Sequence, residues 1–385
     1  MTPGIALHSA RLTARGAEGL QRTRRTLATA QGKNVVVDGR DYLAFASNDY
    51  LGLANDPRVV AALRDGAARF GAGAGASHLV SGHQAPHDAL EAALADFVRP
   101  CEGARCVTMS SGYLANLAIL TALADRGAEI FADKLNHACL NDGALLSRAR
   151  LVRYAHADVD ALRARLAASR AGTRLIVTDA VFSMDGDIAP LARLCALADE
   201  FDAWLVVDDA HGFGVLGDGR GSLADAGITS ERIVYMGTLG KAAGVAGAFV
   251  CAHPVVIDTI VQTARPYIYT TAAPAALACA LLESVEIIRD DASRRARLAD
   301  RIAQFRVAAE GLRWPLMPSR TAIQPIVIGE SSDAMAVATQ LWNDGIWVPA
   351  IRPPTVPLHA ARLRVSLSAA HDAEDVERLV AALRR

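Results

Sequence analysis

The sequence predicts an α/β fold built on a large, doubly wound, mostly parallel sheet, with a small C-terminal α+β domain and an N-terminal arm. Three observations carry this expectation. Strand-like and helix-like segments alternate from about residue 50 to 285, the pattern of a sheet covered on both faces. Two apolar runs, Trp204 to Val207 and Ile233 to Met236, empty directly into polar loops, which is where open α/β sheets hold their ligands. From residue 286 the pattern changes to a long amphipathic helix, short strands and a final amphipathic helix. The expected division is arm and hairpin over 1–48, a large domain over 49–285 and a small one over 286–385.

With 385 residues, 52% hydrophobic and 21% charged, the chain has ample material for a core. A net charge of -1 gives no global field for nucleic acid or a membrane surface. Cys101, Cys106, Cys139, Cys195, Cys251 and Cys279 are scattered, with no CxxC and no metal-like Cys/His grouping. They read as reduced core thiols of a cytoplasmic protein, with no metal expected. No apolar run approaches the roughly 20 residues of a membrane span. Arg11, Arg15, Arg22, Arg24 and Arg25 against Glu18 give the start of the chain a superficial likeness to an organelle leader. That segment, however, runs directly into folded sequence.

In chain order, the first 30 or so residues read as a helical arm. Val35 to Val37 and Tyr42 to Ala46 are strands joined by Asp38-Gly39-Arg40, a hairpin turn of the Asp-Gly type. Asn48 follows at once; on the residues alone it is a turn former. Gly71, Gly73 and Gly75 lie after a helix rather than a strand, the wrong context for a dinucleotide fingerprint, and read as a flexible access loop. Leu90, Ala93, Leu94 and Phe97 mark an amphipathic helix opened by Pro86. The strand Arg105 to Met109 turns through Ser110-Ser111-Gly112-Tyr113 into a helix, exposing amides suited to a phosphate. Tyr113 itself could serve that site or merely pack.

Strands at Ile130 to Ala132 and Leu175 to Val177 lead to loops carrying His137 and Ser183. The run Trp204 to Val207 ends in Asp208-Asp209, with His211 three residues past Asp208. Ile233 to Met236 ends in Gly237-Thr238-Leu239-Gly240-Lys241. A lysine confined at a strand end has its ammonium disfavoured and suits Schiff-base chemistry. Leu298, Ile302, Phe305, Ala309 and Leu312 keep helical spacing. Strands are then expected at Ile323 to Ile328, Ile346 to Ile351 and Leu363 to Leu367, before a last helix with Val376, Leu379, Val380 and Leu383 on one face. That makes two helices against a small sheet. A strand-borne arginine such as Arg364 offers a fork for a carboxylate.

Through SNDYLGL (47–53), VFSMDGD (181–187), VDDAHG (207–212), TLGK (238–241) and RPPTVP (352–357), the chain from about Asp38 onward resembles the α-oxoamine synthases. These are fold-type I enzymes dependent on pyridoxal 5'-phosphate (PLP). The resemblance implies that Lys241 holds PLP, that Asp208 pairs with its ring nitrogen, and that His137 stacks on the ring; these three form the catalytic set. It implies that His211 and Ser183 bond the ring oxygen. Thr238 would bond the phosphate, Gly112 and Tyr113 would count among the cofactor contacts, and Thr271 would reach the neighbouring subunit's phosphate in a homodimer with shared sites. Asn48 and Arg364 would hold the amino-acid carboxylate, and Thr355 would touch substrate. Arg22 of the arm would meet the acyl chain, with Gln21 and Arg24 competing for that role.

The RPPTVP segment resembles the branch that condenses L-alanine with a pimeloyl thioester, releasing CO2 and the thiol, in biotin biosynthesis. The carrier would be coenzyme A or acyl carrier protein. A sister enzyme using glycine or serine with another thioester, and a PLP aminotransferase, are the alternatives. One departure matters: where the family often carries an arginine, this chain reads Ala76-Ser77-His78, so no role passes to that position.

Overall fold

The structure, a computed structural model, describes residues 2–17 and 20–385. Its strands are β1 (Asn34–Val37), β2 (Arg40–Ala44), β3 (Arg105–Met109), β4 (Ala128–Asp133), β5 (Arg150–Tyr154), β6 (Thr173–Asp179) and β7 (Trp204–Asp208). They continue as β8 (Ile233–Thr238), β9 (Ala248–Ala252), β10 (Ile323–Gly329), β11 (Ile346–Trp347), β12 (Ala350–Ile351) and β13 (Ala361–Ser366). Seven of them make one sheet in the order β3-β9-β8-β7-β6-β4-β5. All its pairings are parallel except those of β9, which runs antiparallel to both β3 and β8.

The sheet is apolar on both faces because the strand period is two and each face is covered. Leu205 and Val207 enter one apolar cluster and Val206 the other. Ile176 divides in the same way from Leu175 and Val177, as does Tyr235 from Val234 and Met236. Each such side chain contributes about 1.5 to 3 kcal/mol on burial, so register is strongly specified. The same register aligns Asp179 with Asp208 at neighbouring carboxyl ends. Asp133 closes β4 one strand further on.

The expected hairpin forms, with its second strand starting at Arg40 rather than Tyr42 and ending at Ala44, because Asp38 and Gly39 alone make the turn: both take positive φ (51° and 76°), the geometry of a type I′ turn. Its strand β2 also pairs parallel with β11, so the hairpin extends a sheet with the C-terminal region. Lys33 adds ion pairs to Asp372 and Asp375 at the start of the last helix, Ala373–Leu383.

Several expectations need correction. The arm is helical only over Pro3–Ala17, with no buried side chain; beyond it Leu27 bridges to Val37. The stretch 346–351 is not one strand but two, because Pro349 has no N–H to carry a ladder through. β11 pairs with β2, and β12 pairs with β13. The C-terminal region has three helices rather than two: Ala292–Ala308, Ser331–Asn343 and Ala373–Leu383. The middle one buries only Ala334, Val337 and Leu341, too sparse a stripe to stand out. The first ends at Ala308, short of Leu312, since the chain turns at Gly311 (φ 77°). No helix among the described residues is long and apolar enough to cross a membrane.

The loop after β6 is clamped onto this C-terminal region. The Gly186 carbonyl accepts from Ser319 Oγ (2.9 Å) and Thr321 Oγ1 (3.1 Å). Gly186 sits at φ 72°, and a Cβ there would lie 2.4 Å from the Ile323 carbonyl oxygen. Gly186→Ala is therefore expected to destabilise the protein by about 1 to 3 kcal/mol, read as a lower urea midpoint.

Candidate active site

Consecutive residues of extended chain point to opposite faces, and this separates Asp208, which ends β7, from Asp209, which follows it. Asp209 turns into the core, where it accepts from Ser222 N (2.6 Å), Ser222 Oγ (2.6 Å) and Tyr235 OH (2.9 Å). Burial pushes its carboxyl up to about 7. Asp208 lines a cavity instead. One of its oxygens accepts from Asn116 Nδ2 at 2.7 Å, the other from the Ala210 amide at 3.0 Å.

Across that cavity stands Lys241. Burial lowers its pKa, opposed by the nearby carboxylates of Asp208 and Asp179. Its Nζ is 2.8 Å from His211 Nε2, and His211 Nδ1 is 2.6 Å from the Tyr50 hydroxyl. Burial, with Lys241, Arg364 and His137 nearby, drives His211 well below its ordinary pKa, so the ring is neutral with one N–H. The network then assigns the tautomer: Lys241 donates to Nε2, Nδ1–H donates to Tyr50, and Tyr50 donates to Asn48 Oδ1 (3.2 Å).

Asn48 is the meeting point with the C-terminal region. Its Oδ1 also accepts from Arg364 Nη1 and Nη2 (3.2 and 3.3 Å), while Arg364 Nε donates to the Ser183 carbonyl (2.5 Å) and Nη1 to Ser366 Oγ (2.8 Å). Arg364 is buried, its fork held by β13 beside the amine of Lys241's network.

Three cavities follow one another. The first, about 200 Å³, contains Gly112, Tyr113, Asp208 and Thr238 in its wall. The second, about 800 Å³, adds Asn48, Ser183, Thr355 and Arg364; His137, His211 and Lys241 line both. The third, about 210 Å³, shares Ile351, Pro354 and Thr355 with the second and carries Arg15, Arg22 and Arg352.

Twelve of the thirteen expected site residues thus fall on this connected series. Arg22 lies in the outermost cavity with Arg15 and Arg352, and the Gln21 carbonyl accepts from Arg352 Nη2 (3.4 Å); Arg24 does not line it. Thr271 is the exception. It is exposed, bridges to Ser77 and lines none of the three cavities of its own chain. The expectation missed Asn116, Tyr50 and Asp179. Asn116 and Tyr50 lie on elements far from their partners in sequence, and only the fold brings them together. Asp179 closes a strand beside Asp208, a position the alternation of strands could have signalled; its oxygen accepts from the His137 amide (2.7 Å), and burial and Asp208 hold its pKa well above the usual range. Apart from these cavities, His83, Asp88 and Glu91 bring possible ligand atoms within 4.8 Å of one another, a spatial grouping their spacing does not advertise.

The residues fit PLP by their chemistry. Asp208, tied on both oxygens, presents a fixed negative charge for a protonated ring nitrogen. Lys241 supplies an amine for the aldehyde. The helix Gly112–Leu123, capped by Ser111 Oγ accepting from the Leu114 amide (3.3 Å), opens on the first cavity with Thr238 in the same wall, a seat for phosphate.

Such a sheet, with an amine and a matched carboxylate at its carboxyl edge, defines a PLP-dependent enzyme of fold-type I. The sequence profile of the family described as aminotransferase class I and II matches residues 40–383. An 8-amino-7-oxononanoate synthase of Aromatoleum aromaticum is 60% identical over 367 residues, 95% of this chain and 94% of that protein. A structure of SPT with PLP superposes with a TM-score of 0.91 at 28% identity, covering 99% of this chain and 96% of that one. An 8-amino-7-oxononanoate synthase structure from Francisella tularensis gives 0.77 at 30% identity, over 89% and 97%. The chain belongs to the class I and II aminotransferase family and, within it, to the 8-amino-7-oxononanoate synthases. It is a PLP-dependent acyltransferase.

Tyr50 joins the lysine network to the carboxylate clamp, so Tyr50→Phe leaves His211 Nδ1–H without its acceptor. A loss of about 1 to 3 kcal/mol in chemical denaturation is expected.

Proposed function

We propose that the chain condenses L-alanine with a pimeloyl thioester to give 8-amino-7-oxononanoate, CO2 and the free thiol, a step of biotin biosynthesis. The observation that carries this reading is the sharing of His137, His211 and Lys241 by two cavities, one suited to PLP and one bearing the Arg364 fork. The names of the relatives point the same way.

PLP, when bound, supplies an electron sink for the negative charge that forms at the alanine Cα and again when carboxylate is lost. The chain's own groups do the rest. Arg364, held by Ser183, Ser366 and Asn48, offers the alanine carboxylate a guanidinium. Lys241, its ammonium disfavoured by burial, is a base for the Cα proton, and His211 keeps its amine aimed. His137, on the wall common to both cavities, covers the ring and borders the acyl path. The pimeloyl chain would run through the second cavity, its free carboxylate meeting Arg22, Arg15 and Arg352 in the third.

Thr271 enters this reading only in a homodimer, where it would serve the phosphate of the neighbouring copy. The six unpaired cysteines suit a reducing, cytoplasmic setting. The carrier of the acyl group is coenzyme A or acyl carrier protein.

The test is thiol release from pimeloyl-coenzyme A and from pimeloyl-acyl carrier protein, with L-alanine, glycine and L-serine compared. Release with alanine alone is expected, and Lys241→Ala should abolish it. Release with serine or glycine but not alanine would move the chain to a sister activity; pyridoxamine phosphate accumulating with alanine alone would make it an aminotransferase. A pocket that reads one methyl or hydroxyl separates such substrates by about 1 to 3 kcal/mol, so the comparison needs saturation curves rather than single points.

A further inference from the structure

We infer that His156, which lines neither the PLP cavity nor the acyl cavity, is a positioning residue that fixes the loops carrying His137 and Ser183 relative to one another. Its imidazole Nδ1 lies 3.1 and 3.2 Å from the two oxygens of Asp133, and its Nε2 lies 2.8 Å from Asp187 Oδ2. Asp133 ends β4 and opens the loop to His137: its Oδ1 accepts from the Leu135 amide (2.8 Å). Asp187 closes the loop that carries Ser183, and its carbonyl accepts from the Phe182 amide (3.0 Å). One ring therefore bridges the two segments that deliver side chains to the same cavity.

The bridge has a defined charge. Ionised carboxylates only accept hydrogen bonds, so a ring engaging one at each nitrogen donates from both and is an imidazolium. The hydrogen bonds to Asp133 and Asp187 outweigh burial and raise its pKa to about 10. The ring also stands edge-on to Phe182, with centroids 4.4 Å apart, which fixes its plane. Asp187 depends on it: the other carboxylate oxygen, Oδ1, is buried with no hydrogen-bond partner. Asp133 is less dependent, since the Leu135 and Ala157 amides (both 2.8 Å) also donate to it. Asn136 pins the first loop to β6 independently, through the Val177 carbonyl and the Asp179 amide (2.8 and 3.2 Å). Loss of His156 should accordingly displace the loops without unfolding them.

The inference rests on the proposed condensation for its kinetic consequence but not for its effect on PLP. The experiment compares wild type, His156→Gln, Asp187→Asn and the double variant. PLP dissociation constants come from titrating apoprotein, and KM for L-alanine and kcat from thiol release. Apoprotein melting is recorded alongside. His156→Gln should weaken PLP about tenfold and raise the alanine KM by a similar factor, short of the roughly hundredfold a 1 Å misplacement can cost. Asp187→Asn should shift both in the same direction by less, and it carries the test alone if His156→Gln does not fold. The double variant should recover part of the PLP affinity, because the Asp187 carboxylate is no longer left bare and Asp133 keeps the Leu135 and Ala157 amides. Lower melting with PLP affinity and KM unchanged in both single variants would overturn the inference. A wild type that binds PLP but releases no thiol would sink the condensation reading, and the PLP titrations would still decide the role of His156.

Discussion

The site depends on one electrostatic constraint: a parallel sheet ends its neighbouring strands β4, β6 and β7 on aspartates, and each buried carboxylate needs its own donors. Asp133 is met by His156 and two loop amides, Asp179 by the His137 amide, and Asp208 by Asn116 and the Ala210 amide. Unpaired, such polar groups would be costly to bury. Paired, they fix the loops that follow them, and those loops carry His137, Ser183 and His211. Lys241 enters from the next strand and finds a partly anionic surround that moderates the effect of burial on its amine.

The C-terminal region completes the site rather than simply covering it. β13 places Arg362 and Arg364 against the loop after β6: Arg362 pairs with Asp185, and Arg364 reaches the Ser183 carbonyl. The hairpin strand β2, paired with β11, brings Asn48 to the same arginine. Three stretches distant in sequence thus converge on one guanidinium. Any shift of the C-terminal region against the sheet would move the clamp relative to Lys241.

Much of this was legible in the sequence, for a physical reason. Buried parallel strands are continuous apolar runs, so Val206-Val207-Asp208 and Tyr235-Met236 announce both the strand and the place where its polar end emerges. Lys241 and Asp208 stand at such ends. Asn116 looks like one more polar residue in an apolar helix until the fold sets it 2.7 Å from Asp208, and Tyr50 and His156 were hidden in the same way. The outer cavity was half visible: the family resemblance put Arg22 on the acyl chain, but only the folded arm shows Arg15 and Arg22 sharing that cavity with Arg352. The break at Pro349 was visible in principle, whereas the helix Ser331–Asn343 buries too few large side chains to be distinctive.

The claim on which all else turns is that Lys241 is the lysine that binds the cofactor. The chain has three lysines: Lys33 is engaged with Asp372 and Asp375, Lys134 is exposed at the rim of the second cavity, and Lys241 faces Asp208. Borohydride reduction of the PLP-loaded protein, followed by peptide mass spectrometry, distinguishes them. A pyridoxyl-phosphate adduct on Lys241 alone, at one per chain, is the predicted result. An adduct on Lys134 instead, or no adduct on Lys241 in protein that retains PLP, would contradict the account.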